Sequence, residues 1–170
     1  MKQEIKPLTH RNITTKYFKD WFFNMDDWLD SGATPENFDY NSLTHNESQE
    51  IYAYGYFIDD KLDGIMRIIR NRNGVLIDWL YVNPGKQNRG IGTELMSYAI
   101  DKFGEECDMR LNVVGLNEGG QRFYDRFGFE KVKPFIYHEL ATGAKKRCYL
   151  MKRVRCGKSV PIARPSRFLC

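Results

Sequence analysis

The chain has 170 residues, 42% of them hydrophobic and 28% charged, enough for one α/β-sized domain with a sizeable core. Its formal charge of +4 is supplied entirely by Arg155, Lys158, Arg164 and Arg167, in a tail with no Asp or Glu. The body is therefore neutral, which speaks against a nucleic-acid partner, and no apolar run approaches the roughly 18–20 residues of a membrane span.

The predicted elements follow in chain order. Residues 1–7 read as a first strand, and residues 13–25 as a helix with the aromatic stripe Tyr17, Phe18, Trp21 and Phe22. The stretch 26–50 is irregular and acidic, with room for a short helix after Pro35, a usual first-turn residue. Three strands in meander order then occupy 51–58, 62–70 and 75–82, separated by turns rich in Asp, Asn and Gly. Residues 93–103 form an amphipathic helix with Leu95, Met96, Ala99, Ile100 and Phe103 inward, ended by Gly104. A strand at 109–114 follows, then a short helix at 121–127 with Gly128 as its C-cap. A hairpin at 130–139 and 147–153 closes the domain. The order describes an α+β fold with a mixed sheet over 1–154. Residues 155–170 do not continue it and read as a disordered or appended basic tail, the alternative being a basic anchor for a polyanion.

The N-terminus carries no apolar signal core, so a cytoplasmic chain with no membrane partner is expected. Cys107, Cys148, Cys156 and Cys170 have no metal-ligand spacing, and His10, His45 and His138 are far apart, so no metal is expected.

The most informative stretch is Gln87-Asn88-Arg89-Gly90-Ile91-Gly92-Thr93, between the strand at 75–82 and the helix at 93–103. Strand, glycine-bearing turn and helix together prepare an anion site. The first N–H groups of a helix lack internal partners and sit at the positive end of its dipole. A phosphate placed there collects several of them, and Gly90 and Gly92 let the main chain approach closely. A P-loop is excluded because Thr93-Glu94 stands where Lys and Ser/Thr would be needed. A dinucleotide fingerprint is excluded because position 95 is Leu rather than Gly.

The remaining match is the acyl-CoA loop of the GNAT N-acetyltransferases, Gln/Arg-x-x-Gly-x-Gly/Ala, which this chain resembles at Gln87, Gly90 and Gly92. A second segment, Asn117 through Tyr124 to Gly128-Phe129, resembles the family's Asn-x-x-Ala/Gly-x-x-x-Tyr-x-x-x-Gly-Phe, about 30 residues downstream. The resemblance implies a single domain that binds acetyl-CoA at a strand–turn–helix, between splayed parallel strands. It implies that Gln87, Asn88, Arg89, Gly90, Ile91, Gly92 and Thr93 hold the pyrophosphate. The backbone of Leu80, Tyr81 and Val82 would pair with pantetheine, and Asn117 would touch the same arm.

Acetyl transfer needs an uncharged amine, a polarised thioester carbonyl and a protonated leaving thiolate. Tyr124 is the candidate acid, a phenol near pKa ~10 facing a thiol near ~8.5. Asp78, a carboxylate in the apolar run Leu76-Ile77-Asp78-Trp79-Leu80, is the candidate base. An ordinary Asp and an alkylammonium differ by about 6.5 units, roughly 9 kcal/mol. Asp78 must therefore be raised by burial or relay the proton through water.

The resemblance implies that the N-terminal region borders the acceptor cleft, and its charge hints at the acceptor. Between Asp20 and Asp60 there are ten carboxylates and no Lys or Arg, interleaved with aromatics. Trp21, Asp26, Asp27, Trp28 and Asp30 are the candidate contacts, and such a surface suits a cationic amine of polyamine or aminoglycoside type. A peptide or protein acceptor, and a non-catalytic acyl-CoA sensor on the same fold, are the alternatives. A homodimer is compatible with everything above.

Overall fold

The computed structural model describes residues 1–25, 33–138 and 145–154. Seven strands form one sheet in the order β1-β2-β3-β4-β5-β7-β6. These are β1 (Gln3–Pro7), β2 (Glu50–Ile58), β3 (Lys61–Asn71), β4 (Gly74–Val82), β5 (Met109–Val114), β6 (Glu130–His138) and β7 (Lys145–Arg153). All neighbours are antiparallel except β4 and β5, which run parallel. Among the described residues the α-helices are α1 (His10–Ile13), α2 (Lys16–Phe22), α3 (Ile91–Phe103) and α4 (Glu118–Asp125).

The sheet is covered on both faces. On one, Leu95, Met96, Ala99 and Phe103 of α3 pack on Met66, Ile68, Val75 and Ile77. On the other, Phe18, Trp21 and Phe22 of α2 meet Phe57, Leu62 and Ile65. Burying each large apolar side chain here is worth about 1.5–3 kcal/mol, so the two faces anchor α2 and α3 independently.

The helix expected over 13–25 is shorter, α2 over Lys16–Phe22, and a separate turn of helix, α1, precedes it. The Thr15 side chain accepts from the Phe18 N–H and caps α2, which ends at Phe22. Thr14 as the C-cap of α1 and Thr15 as the N-cap of α2 separate the two, since side-chain oxygens of Ser and Thr compete with helical backbone bonds and favour caps over interiors. After Pro35 there is a turn, and the short element that follows is a 3-10 turn, Tyr40–Leu43, capped by Asp39.

Two bulges shape the middle of the sheet, and each carries an aspartate. Tyr56 pairs with Gly64 while Phe57 pairs with Leu62, so Asp63 is the extra residue of β3. Arg67 pairs with Trp79 while Ile68 pairs with Ile77, so Asp78 is the extra residue of β4. A bulge inserts one residue and shifts the side-chain alternation beyond it. That is why Val75 and Ile77 share the α3 face with Leu80 and Val82, while Trp79 and Tyr81 point to the α2 face.

Asp63 is only 1% exposed. Its Oδ1 accepts from the Tyr17 hydroxyl at 2.5 Å and from Asn83 Nδ2 at 2.8 Å, and its backbone oxygen accepts from the Asn83 N–H at 2.8 Å. The network ties α2, β3 and the end of β4 to one point, directly before the glycine-bearing turn. Among the described residues, no helix is long and apolar enough to cross a membrane.

Candidate active site

After Val82 the chain makes a 3-10 turn, Pro84–Lys86, capped by the Asn83 side chain accepting from the Gly85 N–H at 3.0 Å. Asn88 and Gly90 then take positive φ, 60° and 87°, and α3 begins at Ile91. Thr15, Asn83 and Asn117 each cap the element that follows them with a side-chain oxygen, but the α3 N-cap is Gly90, which has none to offer. The first intrahelical bond runs from the Glu94 N–H to the Gly90 oxygen, 2.9 Å. The N–H groups of Ile91, Gly92 and Thr93 therefore have no acceptor among the described residues, and all three residues line a cleft of about 500 Å³.

This arrangement fits a pyrophosphate: uncapped donors at the positive end of the longest described helix, with Arg126 among the residues lining the same cleft. Of the residues expected at a cofactor, Leu80, Val82, Gln87, Asn88, Gly90, Ile91, Gly92, Thr93 and Asn117 line the cleft. Arg89 lies on the same turn but is not part of the wall, and the Tyr81 ring packs against Phe22 on the opposite face. Nothing lies within 4 Å of a Cβ built on Gly90, so only its left-handed backbone demands glycine. Gly90→Ala is expected to lower stability by about 1–2 kcal/mol, read by denaturant unfolding, with no new contact in the folded state.

The slot beyond the turn is opened by the sheet itself. β4 and β5 pair only at Val75–Met109, Leu76–Arg110 and Ile77–Leu111. The ladder ends where the Asp78 bulge begins, and the strands diverge from there. A second cleft, about 1080 Å³, opens on the far side of this gap. Leu80, Asn117 and Tyr124 line both clefts and mark where they meet.

Tyr124 is held at that junction by its neighbours. The Phe129 N–H donates to the Tyr124 oxygen at 3.3 Å and the Gly128 N–H to the Asp125 oxygen at 3.0 Å, with Gly128 at φ 79°. These two bonds around a left-handed glycine are the Schellman ending of a helix. They bring the buried Phe129 ring 6.2 Å from the Tyr124 ring, while Phe123 lies 5.3 Å away. This apolar setting pushes the phenol up to about 12, because burial disfavours the phenolate. Tyr17, Tyr40 and Tyr52 all spend their hydroxyls on protein acceptors. The Tyr124 hydroxyl has no hydrogen-bond partner among the described residues.

Asp78 stands on the wall of the second cleft. Arg67 Nη1 donates to its Oδ2 at 2.9 Å, and the Arg67 guanidinium lies over the Trp79 ring at 5.2 Å. The concave setting strips water from the carboxyl and raises it above the ordinary carboxylate range, partly opposed by the Arg67 charge. Among the described residues, the buried Arg67 Nε has no hydrogen-bond partner.

The acceptor-side residues divide. Asp26, Asp27, Trp28 and Asp30 lie outside the described residues. Trp21 is 7% exposed, and its indole N–H donates to the Leu62 oxygen at 2.9 Å, so it belongs to the core under the sheet. The other carboxylates of the 20–60 stretch are engaged elsewhere or exposed. Asp39 caps a turn, Asp60 pairs with Lys6 at 3.7 Å, and none of them lines either cleft.

Three features were not found by reading the sequence. Arg126 lines the loop cleft with its guanidinium 5.6 Å from the Phe123 ring, a cation where the phosphates are expected. Its place two residues after Tyr124 was the available signal. The Asn83–Asp63–Tyr17 network joins residues up to 66 positions apart, and nothing local announces it. The start of α4 at Glu118 was marked by the capping side chain of Asn117, which accepts from the Gly120 N–H at 2.8 Å. Gln121 then ties the helix to the end of β5 through the Val114 and Gly115 oxygens, 3.2 and 2.8 Å.

Comparison with known proteins agrees with this geometry. The family model described as "Acetyltransferase (GNAT) family" matches residues 12–129. Among solved structures, the PaiA N-acetyltransferase from Thermoplasma acidophilum in complex with coenzyme A is 20% identical with a TM-score of 0.65, covering 91% of this chain and 99% of that one. The ribosomal-protein-S18-alanine N-acetyltransferase from Escherichia coli is 14% identical with a TM-score of 0.67, covering 93% and 97%. NAA60 from Arabidopsis thaliana in complex with a bisubstrate analogue is 15% identical with a TM-score of 0.68, covering 90% and 98%. No curated protein sequence matches the chain.

Proposed function

The chain belongs to the GNAT acetyltransferase family, and from that premise we propose that it moves the acetyl group of acetyl-CoA to a primary amine by direct attack within a ternary complex. The observation that carries the reading is the pair of clefts meeting at Leu80, Asn117 and Tyr124. One cleft suits a phosphate-bearing ligand at the uncapped start of α3, and the other leaves room for a second substrate beyond the opened sheet.

In this reading the N–H groups of Ile91, Gly92 and Thr93 hold the pyrophosphate, with Arg126 adding charge. The β4 edge beyond Ile77 and the Asn117 side chain border the arm that leads to the thioester. The amine nitrogen forms the C–N bond to the acetyl carbon, the C–S bond breaks, and the thiolate takes a proton. Tyr124 is the group at the junction with a hydroxyl to give. A non-catalytic sensor would have no use for an unengaged phenol at that point.

Asp78 acts on the acceptor side. With Arg67 bound to one oxygen, it serves best as the anchor for the incoming ammonium or for a water that carries the amine's proton away. Asp78→Asn is expected to lower kcat/KM for the amine by roughly 10- to 100-fold while acetyl-CoA affinity stays unchanged. Measuring the two constants side by side checks this, since a drop in acetyl-CoA affinity would place Asp78 in the cofactor site instead.

The expectation of a cationic acceptor now rests on Asp26, Asp27 and Asp30 alone, outside the described residues. The activity itself is tested by following thiol release from acetyl-CoA across a panel of amines, aminoglycosides and peptides. No thiol release above the acetyl-CoA hydrolysis rate with any of them would overturn the acetyl-transfer reading.

A further inference from the structure

Amine acetylation asks for a route by which the amine reaches the thioester, but it does not ask for a cationic mouth. This protein has one. Among the described residues, the acceptor cleft is lined by Lys145, Lys146 and Arg147, at the start of β7, against one carboxylate, Asp78. The Asp78 charge is already answered by Arg67 at 2.9 Å. Lys145 and Arg147 are exposed, and among the described residues neither side chain has a hydrogen-bond or ion-pair partner. They alternate with Lys146 along β7, so both stand on the face that also carries Tyr149, about 7 Å apart.

Their place in the fold is fixed. The Gly115 N–H donates to the Arg147 oxygen at 2.7 Å, which pins the start of β7 against the β5–α4 connection. That connection ends at Asn117, one of the three residues shared by the two clefts. The unpaired cations therefore flank the entrance through which an acceptor would pass on its way to Tyr124.

Such an entrance repels a simple alkylammonium and repels a polycation more. It favours an acceptor that brings its own negative charge. From this we propose that the acceptor is an amine carrying an anionic group, carboxylate or phosphate, on the same skeleton. Lys145 and Arg147 hold the anion while the amine end reaches the junction beside Tyr124. The proposal rests on the acetyl-transfer reading for its chemistry, but the anion preference is a separate property of the cleft.

The test uses the full chain and four matched probes: an ω-amino carboxylate, an ω-aminoalkyl phosphate, the unsubstituted alkylamine of equal length and the corresponding diamine. The anion-bearing probes are expected to exceed the alkylamine in kcat/KM by roughly fivefold, with the diamine lowest, the scale expected for two exposed charge pairs. Comparing carboxylate with phosphate identifies which anion is preferred. In the double variant Lys145→Glu, Arg147→Glu the order of amino carboxylate and diamine should invert, with acetyl-CoA affinity unchanged. The inference is overturned if the diamine leads in the unaltered protein, if the double variant leaves the order as it was, or if its only effect is weaker acetyl-CoA binding. Ligand-observed NMR of the same probes on the CoA-saturated protein separates the two readings. Selective binding of anion-bearing amines without thiol release would uphold the anion site and reject acetyl transfer. Thiol release with equal preference for all four would do the reverse.

Discussion

Tyr124→Phe is expected to lower kcat by roughly 10²- to 10⁴-fold, the range for loss of a positioned general acid. Acetyl-CoA affinity should barely change, because the ring stays and only the hydroxyl is lost. The fold should hold as well: the hydroxyl makes no hydrogen bond among the described residues, while the ring contacts with Phe123 and Phe129 remain. The pH profile adds a second readout. With the phenol pushed up to about 12 by burial, Tyr124 stays protonated through the whole working range. The acceptor amine reacts only when neutral, so kcat/KM should rise as pH climbs toward the amine's own pKa and show no descending limb below about pH 10. A descending limb near neutrality, or a Phe variant with near-normal turnover, would remove Tyr124 from the proton path.

That raised pKa also changes the proton balance expected from the sequence. A phenol at about 12 and a free thiol near ~8.5 differ by some 3.5 units, so full transfer to an ordinary thiolate would cost about 5 kcal/mol. The gap narrows if the leaving thiolate forms in the same water-poor junction, because burial raises a thiol as it raises a phenol. Tyr124 is thus suited to donate as the C–S bond breaks, rather than beforehand.

How far the sequence spoke for itself depended on the range of the interaction. The strands, the α3 helix and the Gln87 to Thr93 turn were legible because alternation, helical period and glycine placement are local signals. The α4 ending at Gly128 was legible for the same reason. The Asp78 bulge was not, because a single extra residue in an apolar strand leaves the composition unchanged while reversing which side chains face α3. The place of Trp21 in the core was not legible for a related reason. An aromatic beside acidic residues suits a cation, but the same ring at helical spacing with Phe18 and Phe22 suits a core, and the indole N–H found its acceptor on Leu62 across the sheet. The charge of the acceptor cleft was hidden altogether, since Lys145 and Arg147 reach it only through the β5–β7 pairing of distant segments.

Gly92→Asp is expected to weaken acetyl-CoA binding by about 100-fold in a protein that folds normally, and the two halves of that statement have separate causes. A Cβ at Gly92 would meet Phe123 Cζ at 3.6 Å and Val82 Cγ2 at 3.7 Å, ordinary contact distances. The second position of α3 also favours an acidic side chain, by about 0.3–1 kcal/mol from the helix dipole. Thermal or denaturant unfolding should therefore show equal or slightly greater stability. The new carboxylate, however, stands among the N–H groups that the pyrophosphate needs. A like charge at about 5 Å, with an effective dielectric constant near 20, costs about 3 kcal/mol, which is the 100-fold loss. Gly92→Ala is the control: it adds the same Cβ without charge, should stabilise α3 through better helix propensity, and should weaken the ligand far less than Asp does. The affinity is measured by titrating acetyl-CoA into each variant, together with desulfo-CoA, which keeps the pyrophosphate and lacks the thiol, and dephospho-CoA, which keeps the pyrophosphate and lacks only the 3′-phosphate. If a folded Gly92→Asp protein binds acetyl-CoA as tightly as the original, the pyrophosphate does not sit at the start of α3, and the cofactor must enter the opened sheet from another side.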